Sequence, residues 1–407
     1  MMIWRIAWRS LWRNGRRTGL AVAAIGLSVA LVLVLNGLLH AESDALLDNV
    51  TGPMLGHVQV HAPDWRRLRS LDRTLTGVSV MIGALRQDPD VVSASARIYA
   101  PALAARGEEG FGVVVVGLDF VEETRPTRLL AGVTPPASHE VLVGRQLAEQ
   151  MQIRPGDQIA IVGQGVDGSL ANDLFRVSGL VQTTVDLINR QAVTMSLADA
   201  RVLFAFGDEA HEIVVHGRSA VDSSALTARL AAMPVFAHTE VLDWRTLAQS
   251  FVNILDYVDL VGLFILVLVL AAAAAGVANT MLMATFERTH EFGMLLALGA
   301  APWRIVRLIV LESLILGLVG AAAGTVLGAT LVEWGHRVGF DWTTVAGTGG
   351  SNPLSMFGMA LLGRLYPRLA IVDLVRVVLA VLVTSLVASV WPAARVAGLQ
   401  PAEALRD

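Results

Sequence analysis

The residues that could do chemistry are few, and their spacing excludes more than it offers. The glycine-rich stretch 163–168 has the composition of a phosphate loop. Such a loop needs a lysine to reach the β- and γ-phosphates, and all 31 basic residues here are arginine. The stretch is therefore expected to be a turn, and any ATP that drives this protein is expected on another chain. There are no cysteines, which excludes disulfides, thiolate nucleophiles and Cys-ligated metal. His57 and His61 would share one face of a strand about 13 Å apart, too far for a single metal ion, and read as ordinary surface residues. No nucleophile elbow, zinc-protease helix or paired-carboxylate motif stands out. No catalytic residue and no metal ligand is assigned, and a non-catalytic subunit is expected.

The segment richest in ordered polar groups follows a long apolar run, from Asn279 to Pro302. It reads as a helix leaving the membrane, a charged turn and a short amphipathic helix. Glu287, Arg288 and Glu291 supply polar positions; Phe292, Leu295, Leu296 and Leu298 supply apolar ones. Gly299 can end that helix and Pro302 can start the next. A short exposed amphipathic helix between two spans suits docking into a groove on a cytoplasmic partner.

These residues must be positioned by membrane helices. The chain is 54% hydrophobic and 16% charged, with a mean hydropathy of +0.59, against roughly 25% charge in a soluble domain. Four runs approach the ~20 apolar residues that a span needs: 20–39, 260–283, 308–332 and 371–390. The net charge of −4 gives no basic field for nucleic acid. Arg5, Arg9, Arg13, Arg16 and Arg17 precede the first run, which places the N-terminus in the cytoplasm; four spans return the C-terminus to the same side. Trp4, Trp8 and Trp12 recur on one helical face beside arginines, as in an amphipathic helix at the inner-leaflet interface. Gly320, Gly324 and Gly328 clear one face of the third span, for packing inside the bundle or against another subunit. Glu312, one to two turns from Arg307, reads as an acid snorkelling to the cytoplasmic surface.

Roughly 210 residues separate the first two spans, enough for one or two domains. Strands are expected at 57–61, 111–117, 140–143, 158–162, 175–182 and 212–216, and helices at 144–151, 197–204 and 223–233. The mixture is an α+β domain. With no Gly or Pro between Asp243 and Val261, a continuous helical stalk is expected from Trp244 into the second span, matching one at 38–50 below the first.

The segment between spans two and three resembles the signature E-R-x-x-E-[IF]-G-x-[LM]-x-A-[LI]-G-A of the MacB/FtsX permease superfamily. Glu287, Arg288, Glu291, Phe292, Gly293, Met294, Ala297, Leu298, Gly299 and Ala300 match it. Pro392, Ala393, Pro401, Ala404, Leu405 and Arg406 are similar to its closing motif, with Arg395 and Ala397 in register. Residues 56–60, 140–148, 156–157 and 176–179 look like the lipoprotein-releasing (LolC/LolE-like) branch. The resemblance implies an ABC transporter permease of the bacterial inner membrane, with four transmembrane helices and a large α+β extracytoplasmic domain. It implies ATP and Mg on a partner ATPase dimer, a second permease subunit (same or sister chain), and mechanotransmission to the periplasm. Its coupling helix would dock on the ATPase through Glu287, Arg288, Glu291, Phe292, Gly293, Met294, Leu296, Ala297 and Gly299. Membrane lipid, a lipoprotein and a periplasmic carrier are the further partners implied; 163–173 is a candidate carrier loop, though short and lacking proline. The alternatives are a MacB-like efflux permease and an FtsX-like signal transducer. The expected order is an interfacial helix (1–17), TM1 (18–40), periplasmic domain with stalks (41–255), TM2 (256–284), coupling helix (285–304), TM3 (305–333), second periplasmic loop (334–370), TM4 (371–391) and cytoplasmic tail (392–407).

Overall fold

The computed structural model describes residues 15–183, 185–220, 222–341, 355–356, 359–360 and 364–397. Trp4, Trp8 and Trp12, and Pro401, Ala404, Leu405 and Arg406 of the closing motif, lie outside the described residues. The chain divides into two compact units.

The first unit is helical. Helices α1 (Gly15–Val50), α2 (Gln249–Glu287), α4 (Pro302–Val338) and α5 (Ile371–Ala397) are each long and apolar enough to cross a membrane; the short α3 (Thr289–Ala297) joins α2 to α4. Ile25 and Leu33 of α1, Val277 and Met281 of α2, Leu316 of α4 and Val381 of α5 meet in one buried cluster. In hydrocarbon, apolar burial adds little between helices, so close backbone approach has to hold them. The glycine row of α4 provides it. A Cβ on Gly320 would stand 2.7 Å from the Ile25 Cβ, one on Gly324 2.6 Å from the Val29 Cβ, and one on Gly328 3.0 Å from the Ala30 Cα. Of the two roles the sequence leaves open for this row, the structure shows packing inside the bundle. On its neighbouring face α4 meets α5, where the Ser313 hydroxyl donates to the Ser385 carbonyl at 2.6 Å. By contrast, Phe264 and Leu268 of α2 are more than half exposed.

The second unit, Asp44–Asn253 in its main part, holds strands β1 (Val58–His61), β2 (Leu75–Thr76), β3 (Val91–Arg106), β4 (Glu109–Leu118), β5 (Glu140–Gly144), β6 (Gln158–Gln164), β7 (Leu170–Val181), β8 (Ala192–Ser196), β9 (Glu209–Ala210), β10 (Glu212–Gly217) and β11 (Glu240–Asp243). Nine form one mixed sheet in the order β11-β1-β10-β3-β4-β8-β5-β7-β6, while β2 pairs with β9. The apolar run of β4 lies parallel to β8, and Val115 and Val116 are both fully buried, as a strand covered on both faces requires. β6 also pairs with the far half of β3, closing six strands into a ring.

Of these strands, β3 is the longest that the sequence reading does not anticipate; β2, β8, β9 and β11 are the others. The alanines of β3 give little alternation and Pro101 argues against a central strand. The proline is tolerated because β10 pairs with residues 91–97 of β3 and β6 with 102–105. Pro101 sits where the partner along that edge changes.

Two further expectations change. Residues 165–169 form the expected turn, Gly165 N donating to Ser169 O at 2.9 Å, but Gly163 and Gln164 belong to β6. The expected stalk from Trp244 is broken: Trp244–Leu247 is a separate turn of helix, and Ala248 (φ −119°, ψ 50°) stands between it and α2. The cause is local. Asp243 caps the short helix by accepting from Thr246 N, and the Leu247 carbonyl takes a hydrogen bond from Arg66 Nη2 at 3.2 Å.

Replacing Gly324 with Leu is expected to destabilise the helical unit by about 1–3 kcal/mol through overpacking, read as a lower Tm of the detergent-solubilised chain. Gly276→Ala, at a position with nothing within 4 Å, is expected to leave Tm unchanged or raise it.

Candidate functional site: the α2–α3–α4 turn

The motif residues converge where α2 ends and α4 begins. Glu287 closes α2 and receives a bidentate pair from Arg17 at the foot of α1, at 2.9 and 2.6 Å. Arg288 follows at the N-cap of α3. Its Nε donates to Glu291 at 3.1 Å and its Nη1 to Glu312 at 2.8 Å, and its guanidinium lies 5.0 Å from the Phe292 ring centre. Glu312 is 4% exposed. It does not snorkel to the surface, as the sequence suggests, but is buried inside the protein against Arg288. The reason is that the turn carries its own cation to the acid, which a charge in an apolar helix needs. The same rule could have found the pair from sequence: an acid in an apolar span calls for a cation, and Arg288 stands 24 residues away.

Phe292 anchors the same inner side of α3, 1% exposed in a cluster with Ile305, Ile309, Ile315 and Val396. Gly299 (φ +87°) ends the helix, with Gly299 N donating to Leu296 O and Ala300 N to Leu295 O. A positive φ at that place favours glycine. Pro302 is the first residue of α4. From α5, Arg395 lies 5.3 Å from the Phe286 ring centre. With the inner side of α3 fixed, its outer side carries Met294 (46% exposed), Leu295 (44%) and Leu298 (85%). Of the nine residues assigned to docking, Phe292 and Gly293 are buried and Leu296 is half-buried. Met294, Ala297 and Gly299 are exposed. Leu295 and Leu298, outside that assignment, complete the exposed apolar face.

A second charge cluster lies in the sheet unit. α1 runs into a π-turn, Thr51–Leu55, whose last carbonyls have no helical partner. Arg97 of β3, fully buried, donates to Met54 O at 2.8 Å and Pro53 O at 3.0 Å, and pairs with both oxygens of Glu123 at 2.8 and 3.0 Å. Glu212 of β10 stands 3.6 Å from Arg97 and accepts from the Tyr99 hydroxyl at 2.6 Å. Burial alone would raise Glu212, but His61 at 3.7 Å, with Arg97 and Tyr99, holds it below the usual carboxylate range. His216 donates from Nε2 to Gly52 O at 2.9 Å. His61, expected on the surface, is fully buried, and His57 is half-buried. The all-buried pattern of β1 follows from its place inside the sheet, between β10 and β11.

Burial, and then Arg128, lowers His57 and pushes His216 down to about 3; burial also lowers His211. His57 and His211 accept backbone N–H groups at Nδ1, which an imidazolium cannot do. The unfolded chain binds protons on these groups below about pH 6.5 and the fold does not. Stability is therefore expected to fall as pH drops from about 6.5 toward 3, read as Tm of the full chain against pH. His216→Gln should flatten the slope by up to about 1.4 kcal/mol per pH unit.

In the membrane unit, Arg288→Met strands the Glu312 carboxylate and is expected to cost about 3–5 kcal/mol. Arg288→Met with Glu312→Met should recover most of that loss. Thermal melting and protease cleavage between α2 and α4 report both.

Residues 18–233 match the MacB-like periplasmic core domain family, and residues 263–401 match the FtsX-like permease C-terminal family. The lipoprotein-releasing system transmembrane protein LolC of Neisseria meningitidis serogroup B is 25% identical over 407 residues, covering 96% of this chain and 94% of that protein. LolC of Xylella fastidiosa (strain 9a5c) is 23% identical, covering 94% and 91%. The crystal structure of the periplasmic region of MacB from Actinobacillus actinomycetemcomitans superposes with a TM-score of 0.36 and 14% identity, covering 51% of this chain and 98% of that one. This multi-pass chain of the inner membrane, with its MacB-like periplasmic core, therefore belongs to the MacB/FtsX/LolC family of ABC transporter permeases.

Proposed function

We propose that the chain is the transmembrane subunit through which an ATPase on a separate polypeptide drives movements of the periplasmic domain, and that it extracts lipoproteins or lipids from the inner membrane. The observation that carries the coupling is α3: a short helix whose inner side is locked by the Arg288–Glu312 pair and Phe292, and whose outer side shows Met294, Leu295 and Leu298. An apolar face on a rigid short helix is what a groove on a partner can grip and push. The lack of lysine in this sequence supports ATP and Mg binding by the partner. Arginines before α1 support cytoplasmic termini, which puts α3 on the ATPase side. A second permease subunit, the same or a sister chain, completes the pair that an ATPase dimer needs. The cargo follows the lipoprotein-releasing relatives, which match over nearly the whole chain.

Mass spectrometry of the complex, purified from its host in mild detergent, should show a P-loop ATPase together with acylated lipoprotein. A cell-wall hydrolase in place of cargo would favour signal transduction instead. Leu295→Asp with Leu298→Asp should keep the fold and cut stimulation of the ATPase at least tenfold. Unchanged stimulation would remove α3 from the docking surface. Proteoliposomes holding the full complex should release lipoprotein only with ATP, and no release would remove the cargo.

A further inference from the structure

The sheet unit contains an open cavity of about 370 Å³ whose walls no part of the coupling mechanism uses. Its apolar side is built from Met54 and Leu55 of the π-turn, Val114 of β4, Leu187 and Leu247. Two cations stand at it. Arg66 gives one hydrogen bond to Leu247 O at 3.2 Å, and Arg69 lies over the Trp65 ring at 4.3 Å. Neither has a carboxylate within ion-pair distance among the described residues. The acid in the wall, Glu212, is already engaged by the Tyr99 hydroxyl, by Arg97 at 3.6 Å and by His61 at 3.7 Å. The cavity thus offers an aliphatic wall and guanidinium donors on arginines with no acid partner among the described residues, in the volume range of small-molecule sites. An open space of that size takes an aliphatic chain together with its head group.

The walls also fix what an occupant would touch. Met54 and Leu55 belong to the turn that ends α1, and Leu247 precedes the break at Ala248 that opens α2. We propose that this cavity is a binding site for a small anionic amphiphile, one medium-length aliphatic chain ending in a carboxylate or phosphate. The anion is held by Arg66 and Arg69, and the chain lies against Leu187, Leu247 and Met54. An occupant there wedges between the two segments through which the domain continues into α1 and α2, so its class of action is regulatory. Binding is independent of the coupling reading and is measured without ATPase or ATP.

The test uses the full chain in lipid nanodiscs and a decanoate carrying a terminal photoreactive diazirine, with crosslinked peptides mapped by mass spectrometry. Labelling is expected on the peptides holding Met54, Leu187 and Leu247. Excess decanoate or decyl phosphate should suppress it, and Arg66→Ala with Arg69→Ala should reduce it at least fivefold. Leu187→Glu, at an exposed position of the wall, gives a second variant and should also reduce it. Equal labelling by the neutral decanol analogue, or labelling indifferent to the arginines, would overturn the anion part. Suppression by inorganic phosphate alone would make it a phosphate site and overturn the chain part. Label confined to α1, α2, α4 and α5 would overturn the site. Suppression at lower concentration by decyl phosphate than by decanoate assigns the head group to a phosphate; the reverse order assigns a carboxylate.

Discussion

The ion pair between Arg288 and Glu312 is the constraint on which the helical unit turns. A buried pair of this kind contributes little net stability, because desolvating two charges offsets most of their attraction. What it fixes is geometry. Glu312 cannot be left alone inside α4, and Arg288 is the residue at which α2 ends and α3 begins. The acid therefore sets where the chain reverses and how α3 is rolled about its axis. Phe292 seals the same side. The exposure of Met294, Leu295 and Leu298 is a result of that roll, so the apolar surface left outside is set by a charge buried beneath it.

The sheet unit solves a related problem with the same residue types. The π-turn after α1 leaves backbone carbonyls pointing into a buried region. Arg97 and His216 collect them, and Glu123 and Glu212 answer the charge of Arg97. In both units an arginine–glutamate pair fixes a helix terminus, and in both the arginine also donates or stacks beyond its acid. A lysine offers three donors on one atom and could not divide them this way. The all-arginine composition, which at first only excludes a phosphate loop, is thus consistent with how the chain holds its helix ends.

Much of this architecture was legible in the residues. Four apolar runs of span length, the stop at Gly299 and restart at Pro302, and the apolar run of β4 are local signals, and local signals survive folding. What could not be read was set by distant partners. β3 looks like no strand until β10, β4 and β6 are in place around it. The break at Ala248 depends on Arg66, nearly two hundred residues earlier. The glycine row of α4 announces close contact but not with which helix; Ile25, Val29 and Ala30 answer that. Which apolar residues of α3 are buried is hidden from the sequence for the same reason. Period alone put Phe292 on the apolar side, but which apolar residues face inward depends on Glu312, on a different helix.

The closure of β3, β4, β8, β5, β7 and β6 into a ring leaves the nine-stranded sheet with one strand that has a single neighbour, β11. It is four residues long, Glu240–Asp243, and begins and ends on an acid. Unpaired strand margins are where a sheet recruits foreign chains and aggregates. With its one margin only four residues long, this sheet offers a foreign strand little to pair with.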